Sequence, residues 1–199
     1  MTIELKNIGK KFNKDWLFQH LNYTFNIGES HAITGFNGSG KSTLLQIIAG
    51  FIIPSEGEIV NKEEENTDNA FKNISIAAPY LELIEEMTAT EFLHFHLQFK
   101  TYINNISIQE ILNIVQLTNA ANKQIRYFSS GMKQRLKLAQ AFFSDTNVLL
   151  LDEPCSNLDK QGISLYQLLI KNYTTNRLVI ICSNDDAEYS FCNKKISLS

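Results

Sequence analysis

The stretch Gly35-Phe36-Asn37-Gly38-Ser39-Gly40-Lys41-Ser42-Thr43 constrains this chain more than any other, because glycines at these intervals before Lys-Ser demand a tight loop opening directly into a helix. Its flanks agree. Ahead of it the apolar stretch His31 to Thr34 reads as a strand, and behind it Leu44, Leu45, Ile47 and Ile48 keep helical spacing up to Gly50, a helix stop. Strand, glycine loop and helix N-terminus in series gather backbone N–H groups and a partial positive charge around one point. Such a nest holds phosphate. Asn37, Gly38, Ser39, Gly40 and Thr43 form the cradle, Lys41 reaches the β- and γ-phosphates, and the Ser42 hydroxyl serves a magnesium ion. The implied ligand is a nucleoside triphosphate with Mg2+.

A length of 199 residues suits one domain, or one domain with a subdomain, and 44% hydrophobic content is ordinary for a globular core. The net charge of -3 argues against a nucleic-acid partner held by a general basic field. Cys155, Cys182 and Cys192 are odd in number and lack Cys-x-x-Cys spacing, so they suggest reduced cytosolic thiols rather than a disulfide framework or a zinc site. The N-terminus alternates polar and apolar residues from Thr2 to Ile8 without the apolar region of a signal peptide. No apolar run approaches the roughly 18 residues that cross a bilayer. If the protein acts at a membrane, other chains span it.

Alternation through Ile3 and Leu5, and again through Leu21, Tyr23, Phe25 and Ile27, has the period of half-buried strands, so the N-terminal third is expected to be partly antiparallel. Pro54-Ser55-Glu56-Gly57 makes a turn, Glu58 to Val60 a short strand, Asn61 to Asn69 a polar loop with a solvated acidic cluster at Glu63 to Glu65, and Ile74 to Ala78 another strand. From about Thr88 to Lys123 two capping boxes, Thr88-x-x-Glu91 and Ser107-x-x-Glu110, each head a helical pattern. Phe92, Phe95 and Phe99 there read as a core stripe in preference to a docking stripe. His94 and His96, two apart, diverge on a helix and are not a metal pair. The last third expects a helix after Ser130, a strand Val148 to Leu151, a helix after Asp159 and a strand Leu178 to Cys182.

Val148 to Leu151 leads into Asp152 and Glu153, two carboxylates at the exit of an apolar strand. Asp152 is placed to hold magnesium, directly or through water, and Glu153 to face an attacking water as general base. Lys41 and Asp152 lie 111 residues apart with the helical insert between them, and no Asn-Lys-x-Asp guanine reader occurs. Shortly before the acidic strand stands Tyr127-Phe128-Ser129-Ser130-Gly131-Met132-Lys133-Gln134-Arg135. On these motifs the chain resembles the ATP-binding cassette family over nearly its whole length. The segment is similar to that family's Leu-Ser-Gly-Gly-Gln signature, altered here to Phe-Ser-Ser-Gly-Met, a variation resembling bacterial export-type cassettes.

The resemblance implies an α/β fold, a P-loop core with a mixed sheet, an N-terminal antiparallel portion and a helical subdomain at about 80–140 inserted in a single domain 1–199. It implies an ATPase using ATP and Mg2+, peripheral on the cytoplasmic face of a membrane. Its expected partners are transmembrane permease subunits and a second cassette, as homodimer or heterodimer. Ser129 and Gly131 would cap the γ-phosphate held by that second cassette, Ser156-Asn157-Leu158-Asp159 would line the dimer interface, and Phe12 would stack on adenine with Trp16 adding to the surface. The residues alone leave Ser-Ser-Gly and Asp159 open as plain helix caps, and Phe12 and Trp16 open as core. A soluble cassette that clamps or assembles a complex, and a slow nucleotide-gated regulatory subunit, are the alternative functions.

Two positions depart from the family. Its glutamine that touches magnesium and the attacking water aligns with Pro79, beside Tyr80 and Glu82, and its switch histidine aligns with Asn184. Asparagine donates a hydrogen bond but carries no charge, so the expectation is slow but competent hydrolysis through Glu153 and Asn184.

Overall fold

A computed structural model describes residues 2–61 and 72–198; the acidic cluster Glu63 to Glu65 lies outside the described residues. Strands β1 (Thr2–Phe12) and β2 (Asp15–Asn26) form the expected antiparallel pair, and β4 (Glu56–Asn61) joins the free side of β1. A second, all-parallel sheet has the order β5-β6-β7-β3-β8, built from β3 (Ser30–Gly35), β5 (Ile74–Ala77), β6 (Val148–Asp152), β7 (Leu178–Cys182) and β8 (Lys194–Leu198). The helices are α1 (Lys41–Ile48), α2 (Ala89–Leu97), α3 (Ile108–Ile114), α4 (Ser130–Phe143), α5 (Lys160–Tyr173) and the short α6 (Asp186–Tyr189).

Strand parity divides the interior. Side chains alternate across a sheet, so Val148 and Leu150 of β6 join Leu178 and Ile180 of β7 in a core with Leu44 and Leu45 of α1. Leu149 and Leu151 face the opposite way, into a core with Leu138 and Phe142 of α4 and Leu165 and Leu169 of α5. Both strands are fully buried, which explains their unbroken apolar runs. Asp152, in phase with Val148 and Leu150, must by the same parity project on the α1 side.

Both capping boxes form. Glu91 N–H donates to Thr88 Oγ1 at 3.2 Å while Thr88 N–H donates to Glu91 Oε2 at 2.8 Å, and Ser107 with Glu110 repeats this at 3.2 and 2.9 Å. The phenylalanine stripe divides. Phe92 is buried, but Phe95 and Phe99 are 42% and 65% exposed and pack edge to face on each other along a surface groove. The core-stripe expectation therefore holds for Phe92 alone. Buried Arg177 ties the layers together by donating to Ser75 Oγ, Thr146 Oγ1 and the Phe142 carbonyl at 2.8, 2.7 and 2.8 Å. No helix among the described residues is long and apolar enough to cross a membrane.

Candidate functional site

The glycine loop runs from the end of β3 to the start of α1. Gly40, the N-cap, sits at φ 95°, in the left-handed region that favours glycine, and a Cβ there would lie 2.7 Å from Leu17. With no side chain to offer, it leaves the first N–H groups of α1 without a capping acceptor. Lys41 is folded over the loop, donating from Nζ to the carbonyls of Gly35 at 2.8 Å and Phe36 at 3.2 Å. A cleft of about 410 Å³ opens above this terminus, lined by Phe12, Leu17, Gly38, Lys41, Ser42 and Glu153 among others.

Asp152 projects toward α1 as its parity requires and hydrogen bonds with Ser42. It is 2% exposed, and burial pushes its carboxyl up to about 6, against the lowering effects of the Ser42 hydrogen bond and the Lys41 charge. Its Oδ2 is buried with no hydrogen-bond partner. A buried, unpartnered carboxylate oxygen beside a hydroxyl fits magnesium, which takes one or two protein ligands and completes its shell with phosphate and water. Among the described residues there is no cluster of three or more His, Cys, Asp or Glu that could hold a metal ion.

Glu153 follows at φ 42°, a left-handed conformation strained for a side chain of this kind. Its N–H donates to Cys182 O at 2.9 Å and its carbonyl accepts from Ser156 N at 3.0 Å, so β7 and the next turn hold the strain. The reversal carries the Glu153 side chain to the cleft. It also lines an adjoining hollow with Asn37, Asn184 and Glu188. Asn184 bridges to the glycine loop: its Oδ1 accepts from Gly35 N at 3.4 Å and its Nδ2 donates to Asn37 Oδ1 at 3.2 Å.

Of the remaining candidates, Phe12 alone lines this cleft. Ser129 caps α4, its Oγ accepting from Met132 N at 3.2 Å, and it stands exposed without lining the cleft. Gly131 packs against the loop after β6, where a Cβ would meet Asn157 O at 3.1 Å. Asp159 caps α5 by accepting from Gly162 N at 2.8 Å and pairs with Arg135 at 3.2 Å, the plain capping role left open for it. Phe12 lines the cleft, 51% exposed, with Lys10 Nζ 5.1 Å from its ring centroid.

Trp16 does not join that surface. It packs toward Gly9 with Lys11 over its ring, and its neighbour Leu17 lines the cleft instead. Adjacent strand residues point to opposite faces, so placing Phe12 and Leu17 together rather than Phe12 and Trp16 required the register of the β1–β2 hairpin.

A phosphate loop feeding an uncapped helix, with an aspartate whose Oδ2 is unpartnered and a cleft-facing glutamate leaving a parallel strand two places away in the sheet, defines a P-loop nucleoside triphosphatase. Residues 18–156 match the family model for ABC transporters. The ABC transporter ATP-binding protein YybJ of Bacillus subtilis is 31% identical, the alignment covering 99% of this chain and 92% of YybJ. The cytochrome c biogenesis ATP-binding export protein CcmA of Aliivibrio fischeri is 30% identical over 92% of each chain. The sulfate/thiosulfate import ATP-binding protein CysA of Mesostigma viride is 37% identical over 80% of this chain, which spans about half (47%) of that longer protein.

Among solved structures, the dimeric post-hydrolysis state of the cassette MJ0796 with ADP and Pi superimposes with a TM-score of 0.80 at 26% identity, covering 99% of this chain and 94% of that one. The chain belongs to the ABC transporter family, as an ATP-binding domain with ATPase activity that uses ATP and Mg2+.

Proposed function

We propose that this chain is the ATP-hydrolysing subunit of a membrane transporter and works as one of two cassettes, each nucleotide held between the glycine loop of one and the α4 terminus of the other. One observation carries this reading. The cleft beside Lys41 is lined from Phe12 to Glu153 without Ser129 or Gly131, so an exposed second helix terminus is available to a nucleotide bound by another subunit. In this scheme Asn37 to Thr43 hold the phosphates, Phe12 stacks on the base, and Ser42 and Asp152 hold Mg2+, which neutralises phosphate charge. Glu153 takes the proton of the attacking water. Asn184 donates a neutral hydrogen bond to the γ-phosphate, and the 156–159 loop lies along the seam between cassettes.

The whole chain acts as a single cassette domain, its helical part at about 80–140 forming a subdomain. It sits on the cytoplasmic face of the membrane, docked on transmembrane permease subunits. The exposed pair Phe95 and Phe99 supports a partner surface there, because it continues the groove of Leu81, Leu83 and Ile84 that comes after Pro79. The altered signature Phe-Ser-Ser-Gly-Met supports export; relatives named for export and for import stand on either side of that choice.

Phosphate release by the native chain and by Glu153→Gln tests the chemistry. The variant should lose at least about 100-fold in rate while keeping ATP binding, and should sediment as a dimer with ATP. Equal rates at background would sink the hydrolytic role, and a variant that stays monomeric with ATP would sink the composite site. Turnover should rise roughly five- to tenfold in Asn184→His, by replacing a neutral with a charged hydrogen bond. Affinity isolation should recover a multi-helix membrane protein; a purely soluble complex would favour the assembly-clamp alternative.

A further inference from the structure

The reversal that carries Glu153 to the cleft is followed at once by a peptide unit held from both sides. Gln134 of α4 donates from Nε2 to Pro154 O at 2.7 Å, and Glu188 of α6 accepts from Cys155 N on Oε1, also at 2.7 Å. That carbonyl and that N–H are the two polar ends of one peptide bond, and because the bond is planar, holding both ends fixes its orientation. Both clamping side chains are buried, at 4% and 5% exposure. The ring of Pro154, itself buried, fixes the φ torsion on the side nearer Glu153.

Glu188 is firmly anchored in its turn. Its carbonyl accepts from the hydroxyl of buried Tyr166 on α5 at 2.7 Å, and its N–H donates to Asp185 O at 3.0 Å. It lines the hollow beside Glu153 and Asn184, whereas neither it nor Gln134 lines the phosphate cleft. Its Oε2 is buried with no partner, so an amide in place of the carboxyl breaks no hydrogen bond at that atom.

A left-handed φ at a glutamate persists only where its surroundings over-determine it. The bonds to Cys182 O and Ser156 N hold the peptide groups of Glu153 itself, and the clamp holds the next peptide along. We propose that Gln134 and Glu188 are positioning residues for hydrolysis, which clamp the Pro154–Cys155 peptide and thereby fix the direction in which the Glu153 carboxylate meets the attacking water. Neither touches the nucleotide. Misplacing a reacting group by about 1 Å can cost on the order of 100-fold in rate, so a clamp behind the base acts on turnover without acting on binding. The clamp rests on the proposed function, in which Glu153 is the base.

The test is steady-state ATP turnover of the full chain, with ATP affinity measured by calorimetry. Glu188→Ala removes the acceptor and should lower kcat at least about tenfold, with KM and ATP affinity unchanged. Glu188→Gln keeps an oxygen that accepts from Cys155 N and should bring turnover back to within about threefold of native. Gln134→Ala releases the other end of the peptide and should give a loss of the same kind as Glu188→Ala.

A native kcat in Glu188→Ala overturns the proposal. So does an equal loss in Glu188→Gln, since that would make the charge and not the hydrogen bond the active feature, and so does a fall in ATP affinity that matches the fall in kcat, since that would mark general support of the fold. Should Glu188→Ala fail to fold, Gln134→Ala decides by the same split between kcat and affinity. Glu153→Gln is run beside them, and a native rate in that variant sinks the base reading itself and the clamp with it.

Discussion

The N-termini of α1 and α4 begin alike in sequence, in short loops rich in glycine and serine, and end in opposite states. α1 is headed by Gly40, which provides no acceptor, so its first N–H groups face a cleft with Lys41 beside them. α4 is headed by Ser129, whose hydroxyl takes the Met132 N–H and closes the end from within. The open terminus is completed only by an anion, and the closed one is stable without any. One end is therefore suited to primary capture of phosphate and the other to a later, weaker contact.

The strongest challenge to that contrast is Lys41→Ala. It removes the ammonium but leaves the open N–H groups, and loss of a charge-assisted bond worth roughly 1.5–3 kcal/mol per contact should raise the ATP dissociation constant by about 100-fold or more. Calorimetry showing less than a threefold change would mean that the open helix end does the work unaided.

At the other end of α4, His96 Nε2 lies 2.8 Å from Ser144 Oγ, and burial, helped by the Lys100 charge, pushes its pKa down to about 4. The native state thus refuses a proton that the unfolded chain accepts below its ordinary value near 6.5. Stability from this group is full above that value and is lost as pH falls through about 4, on the order of 2–3 kcal/mol in all. Urea unfolding at pH 7 and pH 4.5 should show the loss, and His96→Gln should flatten it. An unchanged slope in the variant would assign the acid sensitivity elsewhere.

Ser129→Ala is the subtlest. Losing the cap should cost about 1 kcal/mol of stability while leaving ATP affinity of the monomer unaltered. A fall in monomer affinity would show the closed terminus serving its own nucleotide, and the contrast would collapse.

Much of this was legible in the sequence because the physics was local. Continuous apolar runs made Val148 to Leu151 and Leu178 to Cys182 strands, the two capping boxes marked helix starts, and strand parity carries Asp152 to the α1 side. Other features were not local. β8 is an edge strand with only Ile196 and Leu198 apolar, so it lacks the run that marks a buried strand and exists by pairing with β3. Leu17 supplants Trp16 at the cleft through hairpin register, and the carbonyls of Ala78 and Pro79 are held by Lys137 from a helix more than fifty residues away. The exposure of Phe95 and Phe99 beside buried Phe92 depends on what packs against each, which spacing alone does not set.

Glu153 occupies backbone space in which glycine would rest without penalty. Replacing it by glycine would delete the base and also release strain of about 1 kcal/mol, leaving a protein that is inert and harder to unfold. At this one α-carbon, selection for catalysis and selection for durability pull in opposite directions. A lineage freed from the need to turn over ATP would be expected to drift first at this position.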